Sequence, residues 1–441
     1  MRTDTVSTNP AAMPSVPEPI RRTCPLAVGP LTQEEESPEG VAILLEVPGA
    51  PGALLWGALR DVLLWIEARR SGQGKLFAPD AARTRIEWIR SHPVPEDLVP
   101  PLLVLAEMTG EAGGVMRDAV TVACGRVATW AMENGAVELR LAFTEAAALL
   151  APEDPHMALA AGRLARDVGR PARAETWLRK AVKLARNRDW ETYVWAFTGL
   201  GLMYWRAGNL RGALAVAERA LRTASRHRLR HLEGVVLHNL FMFVSDHDVA
   251  RAYQHVWGAL RAYGAGNPRL AVLAQDVACY WADHGQFARA LPVIEAALPR
   301  MSDPHERMLV LAGRARAAAG AGLTDVYEEA RVQTLRALSE THGEARAAET
   351  LVVLASADLL ARKMDRAEEA ARRGAETAAR RGEHAARMAA EAVIEAARAR
   401  RPHASSRAAP EPAGLARQAD RLQGDLILSL AGEPAGGTHA L

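Results

Sequence analysis

The sequence predicts an all-α chain built as a right-handed α-solenoid of antiparallel helix pairs. The first observation is a helix–turn–helix pattern that recurs in register at a spacing of 38 or 39 residues. The second is composition: aromatic residues make up only 5% of the 441 residues, and alanine and leucine fill most apolar positions, which suits closely stacked helices. The third is a scarcity of the runs of Val, Ile, Thr and Tyr that strands need.

Four units carry the recurring pattern most clearly. Their anchor residues in the first helix, spaced by 39, 39 and 38 residues, are Gly162, Gly201, Leu240 and Ala278. A turn residue follows seven positions after each anchor, and alanines follow at twelve and nineteen. A small anchor lets the second helix cross closely, and a glycine at the turn permits a left-handed backbone. Three weaker units are anchored at Gly125, Gly313 and Ala355.

The clearest unit resembles the tetratricopeptide repeat family. The family pattern Trp-x-x-Leu-Gly-x-x-Tyr, followed by two spaced alanines, is matched by Phe197, Leu200, Gly201, Tyr204, Ala213 and Ala220. The resemblance covers roughly residues 117–395. It departs from the pattern in its long period, against about 34 residues in the family, and in lacking the closing proline. The long period is more similar to repeats attached to bacterial signalling ATPases and transcriptional activators.

The repeat boundaries divide the chain into six parts. Residues 1–38 lack apolar periodicity and are expected to form a disordered tail. Residues 39–112 are interpreted as a helical cap for the first repeat, in which residues 41–47 form either a strand or an extended segment packed on the first helix. The solenoid is expected at residues 113–400, a linker at 401–414, a C-terminal helix at 415–431 and a disordered tail at 432–441. That helix either caps the array or binds a partner.

Charge and motif content argue against an enzyme, a nucleic-acid-binding protein and a membrane protein. The net charge is +2, from 54 basic and 52 acidic residues. The longest apolar stretch, residues 54–66, is interrupted by Arg60 and Asp61, so it does not predict a membrane span. No secretory signal is evident, which favours the cytoplasm. Cys24, Cys124 and Cys279 are too scattered for a disulfide framework or a cysteine-rich metal site, and no cofactor is predicted.

Three local clusters each allow a functional interpretation and a purely structural one. Residues 72–75 contain glycine and lysine but lack the phosphate-loop pattern, which favours a simple turn. His227 and His231 have a spacing that can share a metal ion, but nothing nearby completes a ligand set, which favours surface histidines. A basic cluster is formed by Arg222, Arg226, Arg228 and Arg230. Because no aromatic residues are interleaved with these arginines, we interpret them as a solvated face and not as a nucleic-acid-binding site.

The resemblance to tetratricopeptide repeats implies a concave groove lined by the first helix of each pair. Counting from the anchors gives the candidate groove residues Arg163, Arg166, Asp167, Trp195, Thr198, Trp205, Arg206, Phe241, Gln275 and Asp283. These side chains make the groove basic at one end and aromatic or apolar in the middle. Such a surface suggests a partner, although the superhelical twist or the chain's own tail could equally bury the aromatic residues.

The sequence therefore predicts a non-enzymatic scaffold that binds a peptide or protein in its concave groove. The family's carboxylate clamp is not carried over, because Leu159 and Arg163 do not match the lysine and asparagine that it needs. A sensor whose groove binds a peptide or a small signal is the alternative prediction. An enzyme with an unrecognised site in residues 41–112 is the third.

Overall fold

The computed structural model describes residues 39–72, 76–110, 116–341, 346–380, 383–400 and 413–431. Throughout those ranges the regular secondary structure is helical, with twenty α-helices and no strand. The predicted all-α fold class is confirmed, since the helices follow one another as antiparallel pairs in contact. The predicted tails at 1–38 and 432–441, Cys24, and most of the predicted linker lie outside the described residues.

Four helices precede the repeats: α1 (Glu39–Glu46), α2 (Ala50–Ser71), α3 (Ala81–Ser91) and α4 (Val99–Glu107), the last entered through a 3-10 turn at Glu96–Leu98. The expectation of a strand or extended segment at residues 41–47 is wrong, because α1 occupies most of that stretch. The helix buries Ile43 in the N-terminal core. Its last residue, Glu46, accepts hydrogen bonds from the backbone N–H groups of Glu138 and Leu139, at 2.8 and 3.0 Å. A side chain distant in sequence thus caps a helix, a contact that local sequence pattern does not reveal.

Seven helix pairs follow. They are α5 (Arg117–Glu133) with α6 (Val137–Leu150), α7 (Pro155–Asp167) with α8 (Pro171–Ala185), α9 (Trp190–Arg206) with α10 (Leu210–Arg226), α11 (Arg230–Val244) with α12 (Val249–Tyr263), α13 (Arg269–Asp283) with α14 (Phe287–Ala297), α15 (Pro304–Gly320) with α16 (Thr324–Glu340), and α17 (Ala347–Leu360) with α18 (Met364–Arg380). Each pair packs on the next, so one continuous core runs through most of the array.

The anchors of two weak units differ from the sequence expectation. In the units of Gly162 and Gly201 the first helix ends five residues after the anchor. The same rule places the anchors of the first and sixth pairs at Ala128 and Ala315, rather than at Gly125 and Gly313. Gly162 sits at a close crossing, where an added Cβ would lie 2.8 Å from Leu178, whereas one on Gly125 would meet nothing within 4 Å. A glycine in the sequence therefore does not by itself identify the anchor position of a unit, because the anchor is defined by the close helix crossing.

The stack curves with the first helices on its inner side. Contacts join α7 to α9, α9 to α11, α13 to α15 and α15 to α17, whereas the second helices of neighbouring pairs scarcely touch one another in the described chain. Elements on the inside of a curve lie closer together than those on the outside. The odd-numbered helices from α7 to α17 therefore line the concave face, and the even-numbered helices form the outer face.

The last two helices, α19 (His384–Arg398) and α20 (Ala413–Ala431), complete the described chain. Helix α19 packs on α17 and α18, at the end of the stack. Helix α20 packs back on α12, α13 and α14, where Leu422 and Leu426 are buried. Polar contacts fix its register: the Trp257 indole donates to Asp425 at 2.9 Å, and Arg289 pairs with Asp420 at 2.7 Å. The C-terminal helix thus packs mainly on the outer-face helices α12 and α14.

Among the described helices, none combines the length and the apolar character that crossing a bilayer requires.

Candidate partner-binding surface

Seven of the ten candidate groove residues reach the surface of the concave side. Asp167, Trp205, Asp283, Arg163 and Arg206 are exposed, while Arg166 and Trp195 are partly buried. They come from α7, α9 and α13; α7 packs on α9, and α11 lies between α9 and α13 in the stack. The structure therefore brings a basic and aromatic set of side chains to one surface.

The other three candidates are buried, and the expectation that they face the groove is corrected. The Thr198 hydroxyl donates to the Val194 carbonyl at 2.8 Å, within its own helix. The Phe241 ring is 1% exposed and packs edge-on against Tyr280, with 6.0 Å between ring centroids. Gln275 is 3% exposed and donates to the Cys279 sulfur at 3.0 Å. Contacts between adjacent first helices cover these positions.

Trp195 is the centre of a small cationic cluster. The guanidinium carbon of Arg163 lies over its ring at 5.1 Å from the centroid, and that of Arg269 lies over it at 5.3 Å. Both distances are within the range of a cation–π interaction. Arg269 was not among the candidates. It is the first residue of α13, and counting from the anchor Ala278 does not select its position. The curvature between α9 and α13 brings it to Trp195, and no local pattern around residue 269 indicates that meeting.

Trp205 provides the aromatic surface next to this cluster. Its side chain is 36% exposed, and its ring lies 5.7 Å from that of Phe243, centroid to centroid. One face of the indole is therefore held by the core of the next pair while part of the ring remains open to solvent. A rigidly held, partly exposed tryptophan is typical of the residues that contribute most to protein interfaces.

Most of the charged groups near this surface are paired. Arg166 binds Asp167 at 2.7 Å, and Arg316 binds Asp283 at 2.6 Å. Arg346 binds both Glu306, at 2.9 Å, and Glu349, at 2.7 Å. Four carboxylates near the surface, Asp167, Asp283, Glu306 and Glu349, are therefore engaged by arginines.

Three arginines on the same surface differ from the paired ones. No described carboxylate lies within 4.0 Å of the guanidinium of Arg163, Arg206 or Arg269. Partial burial and the neighbouring charges of Arg166 and Arg269 lower the pKa of Arg163, against the opposing effect of Asp167. Arg163 and Arg269 therefore sit close together at Trp195, and none of the three cations is fully neutralised by the described part of the chain.

Arg206 shows that distant pairs approach one another across the concave face. Partial removal from solvent, together with the charges of Arg166 and Arg346, lowers the pKa of Arg206, and the carboxylates of Asp167 and Glu349 act in the opposite direction. Arg206 ends α9, whereas Glu349 lies in the first turn of α17, four pairs further along the chain. Charges on these two helices are thus within electrostatic reach of one another.

The described residues contain no group of three or more His, Cys, Asp or Glu side chains placed to hold a metal ion. The His227 ring stacks on Trp190, with 4.3 Å between centroids. Burial raises the pKa of the Cys124 thiol to about 12, and burial also raises that of Cys279, so neither is a thiolate at neutral pH.

A sequence model of the family described as "Tetratricopeptide repeat" matches residues 154–226. That range covers α7, α8, α9 and α10, which carry most of the surface just described. Residues 154–226 are thus similar to tetratricopeptide repeats. No curated protein matches the sequence.

Solved structures similar to this chain also include tetratricopeptide repeat proteins. BtubC (BKLC) from P. vanneervenii is 18% identical, with 52% of this chain and 95% of that chain covered and a TM-score of 0.36. A STAND signal-transduction ATPase with a tetratricopeptide repeat sensor, from Pyrococcus horikoshii, is 10% identical, with 83% and 56% covered and a TM-score of 0.35. A Rap protein complexed with competence and sporulation factor is 11% identical, with 82% and 99% covered and a TM-score of 0.35.

Proposed function

We propose that the chain is a non-enzymatic scaffold that binds a peptide or protein partner on its concave face. Tetratricopeptide repeats generally mediate protein–protein interactions. The observation that carries the proposal is the joint surface of Trp195, Trp205 and Arg206 on the inner side of α9, with Arg163 beside it on α7. Tryptophan and arginine are the residue types most enriched among the energetically important residues of interfaces.

The packing of α20 supports the choice of the concave face. Because α20 lies on α12 and α14, it covers outer-face apolar surface and leaves Trp205 uncovered. The partly exposed aromatic residues of α9 thus remain without a described covering element.

A pulldown with paired variants tests the proposal. Trp205→Ala combined with Arg166→Glu removes an aromatic contact and reverses a charge on the concave face, so we expect the partner to be lost. Arg222→Glu is the matched control: it lies on the outer helix of the same pair, and its side chain is 71% exposed. We expect the control to retain the partner. Circular dichroism melting verifies that both variants fold.

The concave-face assignment is wrong if the double variant keeps its partner at full affinity. It is also wrong if Arg222→Glu loses the partner to the same extent, because the binding surface would then be on the outer face.

A sensor that changes its curvature on binding is the second candidate function. The observation that favours it is that the charges of Arg346 and Glu349, at the start of α17, affect the pKa of Arg206 at the end of α9. A ligand placed between these helices would alter their separation. Small-angle scattering distinguishes the two functions, because a sensor changes its radius of gyration when ligand binds and a rigid scaffold does not.

A further inference from the structure

We propose that the concave face recognises an acidic peptide segment, whose carboxylates pair with Arg163 and Arg269 at Trp195 and with Arg206 beside Trp205. This inference rests on the proposed function and specifies the chemistry of the partner. It follows from the arrangement of the three arginines and of the groups around them.

The first step is the geometry at Trp195. The guanidiniums of Arg163 and Arg269 come from α7 and α13, and both lie over the same indole ring of α9. Stacking on an aromatic face holds a planar guanidinium in place and leaves the N–H donors at its edge available. Guanidinium donors in a fixed plane match the two oxygens of a carboxylate. The N–H donors of the two arginines are therefore already oriented to bind a carboxylate in the absence of a ligand.

The second step is charge balance. The arginines Arg163, Arg166, Arg206, Arg269, Arg316 and Arg346 share this surface with the carboxylates Asp167, Asp283, Glu306 and Glu349. Six guanidiniums against four carboxylates leave a net positive charge. The four carboxylates are engaged by Arg166, Arg316 and Arg346 at 2.6 to 2.9 Å, so the excess falls on Arg163, Arg206 and Arg269. Partly desolvated cations without a close counterion are costly, and an anionic ligand offsets that cost.

The third step distinguishes a peptide from a small multivalent anion. The arginines are distributed over α7, α9 and α13 along an open surface. Two cavities of the described chain lie elsewhere, one between α14, α15 and α16 and one between α18 and α19. Asp167 and Glu349 lie among the arginines and would repel a compact, highly charged phosphate. Single carboxylates spaced along an extended chain avoid those acidic groups and reach each arginine in turn.

The fourth step is the neighbouring aromatic surface. The exposed part of Trp205 adjoins Arg206 in sequence on the same helix. A segment that pairs with Arg206 therefore places its next residues near the indole. We expect the recognised segment to combine acidic residues with an apolar or aromatic one.

Selection from a display library of random twelve-residue peptides against the full chain tests the inference. We expect the bound peptides to be enriched in Asp and Glu, and their binding to be lost in Trp205→Ala. Peptides that depend on Trp205 but show no acidic enrichment would overturn the inference and leave the proposed function standing. No bound peptide at all would overturn the inference alone, because the proposed function also allows a protein partner. Peptides that bind independently of the concave residues would contradict the proposed function as well.

Fluorescence anisotropy with one selected peptide measures the charge contribution. Replacing its acidic residues by the corresponding amides should weaken binding to the unaltered chain by about 10- to 100-fold, the usual range for losing hydrogen bonds to charged groups. Arg163→Gln with Arg269→Gln should weaken the acidic peptide similarly but leave the amide peptide unchanged. Arg222→Gln, on the outer face, should change neither. Equal weakening of both peptides by the double variant would show a general loss of structure instead of a carboxylate contact, and equal affinity of both peptides for the unaltered chain would overturn the inference.

Discussion

Asp358 occupies an unexpected position in the interior, because it stands where the repeat pattern places an aromatic residue. It is fully buried and accepts hydrogen bonds from the Tyr327 hydroxyl at 2.6 Å and from Arg331 Nε at 2.9 Å. In the unit of Gly201 the same position holds Tyr204, whose hydroxyl donates to Glu175 of the preceding second helix at 3.0 Å. In the seventh pair the carboxylate lies on the first helix and the tyrosine on the preceding second helix, the reverse of the third pair, so a tyrosine–carboxylate hydrogen bond between successive pairs is kept.

This exchange explains why the seventh pair keeps its place in the stack despite its degenerate sequence. Burial raises the pKa of Asp358, while the hydrogen bonds from Tyr327 and Arg331 act in the opposite direction. The hydroxyl and guanidinium donors therefore determine whether a carboxylate is tolerated at this depth. A sequence pattern that scores only aromatic residues at this position misses the contact.

Asp358→Ala should lower the free energy of unfolding by about 3–5 kcal/mol, because it leaves the Tyr327 hydroxyl and the Arg331 guanidinium without their acceptor. Asp358→Asn is the matched control: its side-chain oxygen can still accept from Tyr327, so we expect a smaller loss. Chemical denaturation monitored by circular dichroism measures both. A loss below about 1 kcal/mol for Asp358→Ala would show that the buried contact contributes little.

The helix α20 is the element whose role differs most from the alternatives that the sequence left open. Its apolar spacing predicted a helix correctly, but the choice between capping the array and binding a partner could not be made from the spacing. The helix packs on the outer face of the same chain, through Leu422, Leu426 and Leu430 and the polar contacts of Asp420 and Asp425. Its binding surface on α12 and α14 is assembled from residues more than a hundred positions earlier, which a local pattern cannot indicate.

Leu426→Asp should detach α20, because it places a charge at a position that is 1% exposed. Hydrogen exchange should then increase in α20 and in the α12 and α14 segments beneath it. It should remain unchanged in α7 and α8, since each unit of a repeat array contacts mainly its neighbours. Leu428→Asp is the matched control, because that side chain is 72% exposed on the same helix. Equal exchange behaviour of the two variants would contradict the packing of α20.

At the scale of the whole molecule, the sequence predicted the repeating unit better than the surface that the units form together. The anchors Gly162, Gly201, Leu240 and Ala278 each fall in the first helix of a pair, as expected. The prediction of which residues face the groove was less reliable. Phe241 is buried by contact with α13, and Arg269 contacts Trp195 although counting from the anchors did not select it. A small rotation between successive pairs accumulates along the stack, so side chains from distant pairs meet in ways that the repeat period does not specify.

Site-specific photocrosslinking tests the central claim, that the partner binds on the concave face, most directly. A photoreactive phenylalanine analogue is placed at position 205 on the inner side of α9 or at position 222 on the outer side of α10, and crosslinked protein is identified by mass spectrometry. We expect the partner to crosslink from position 205 and not from position 222, because only the first side chain borders the concave surface. Crosslinking of the same partner from position 222 alone would place the binding surface on the outer face and contradict the claim.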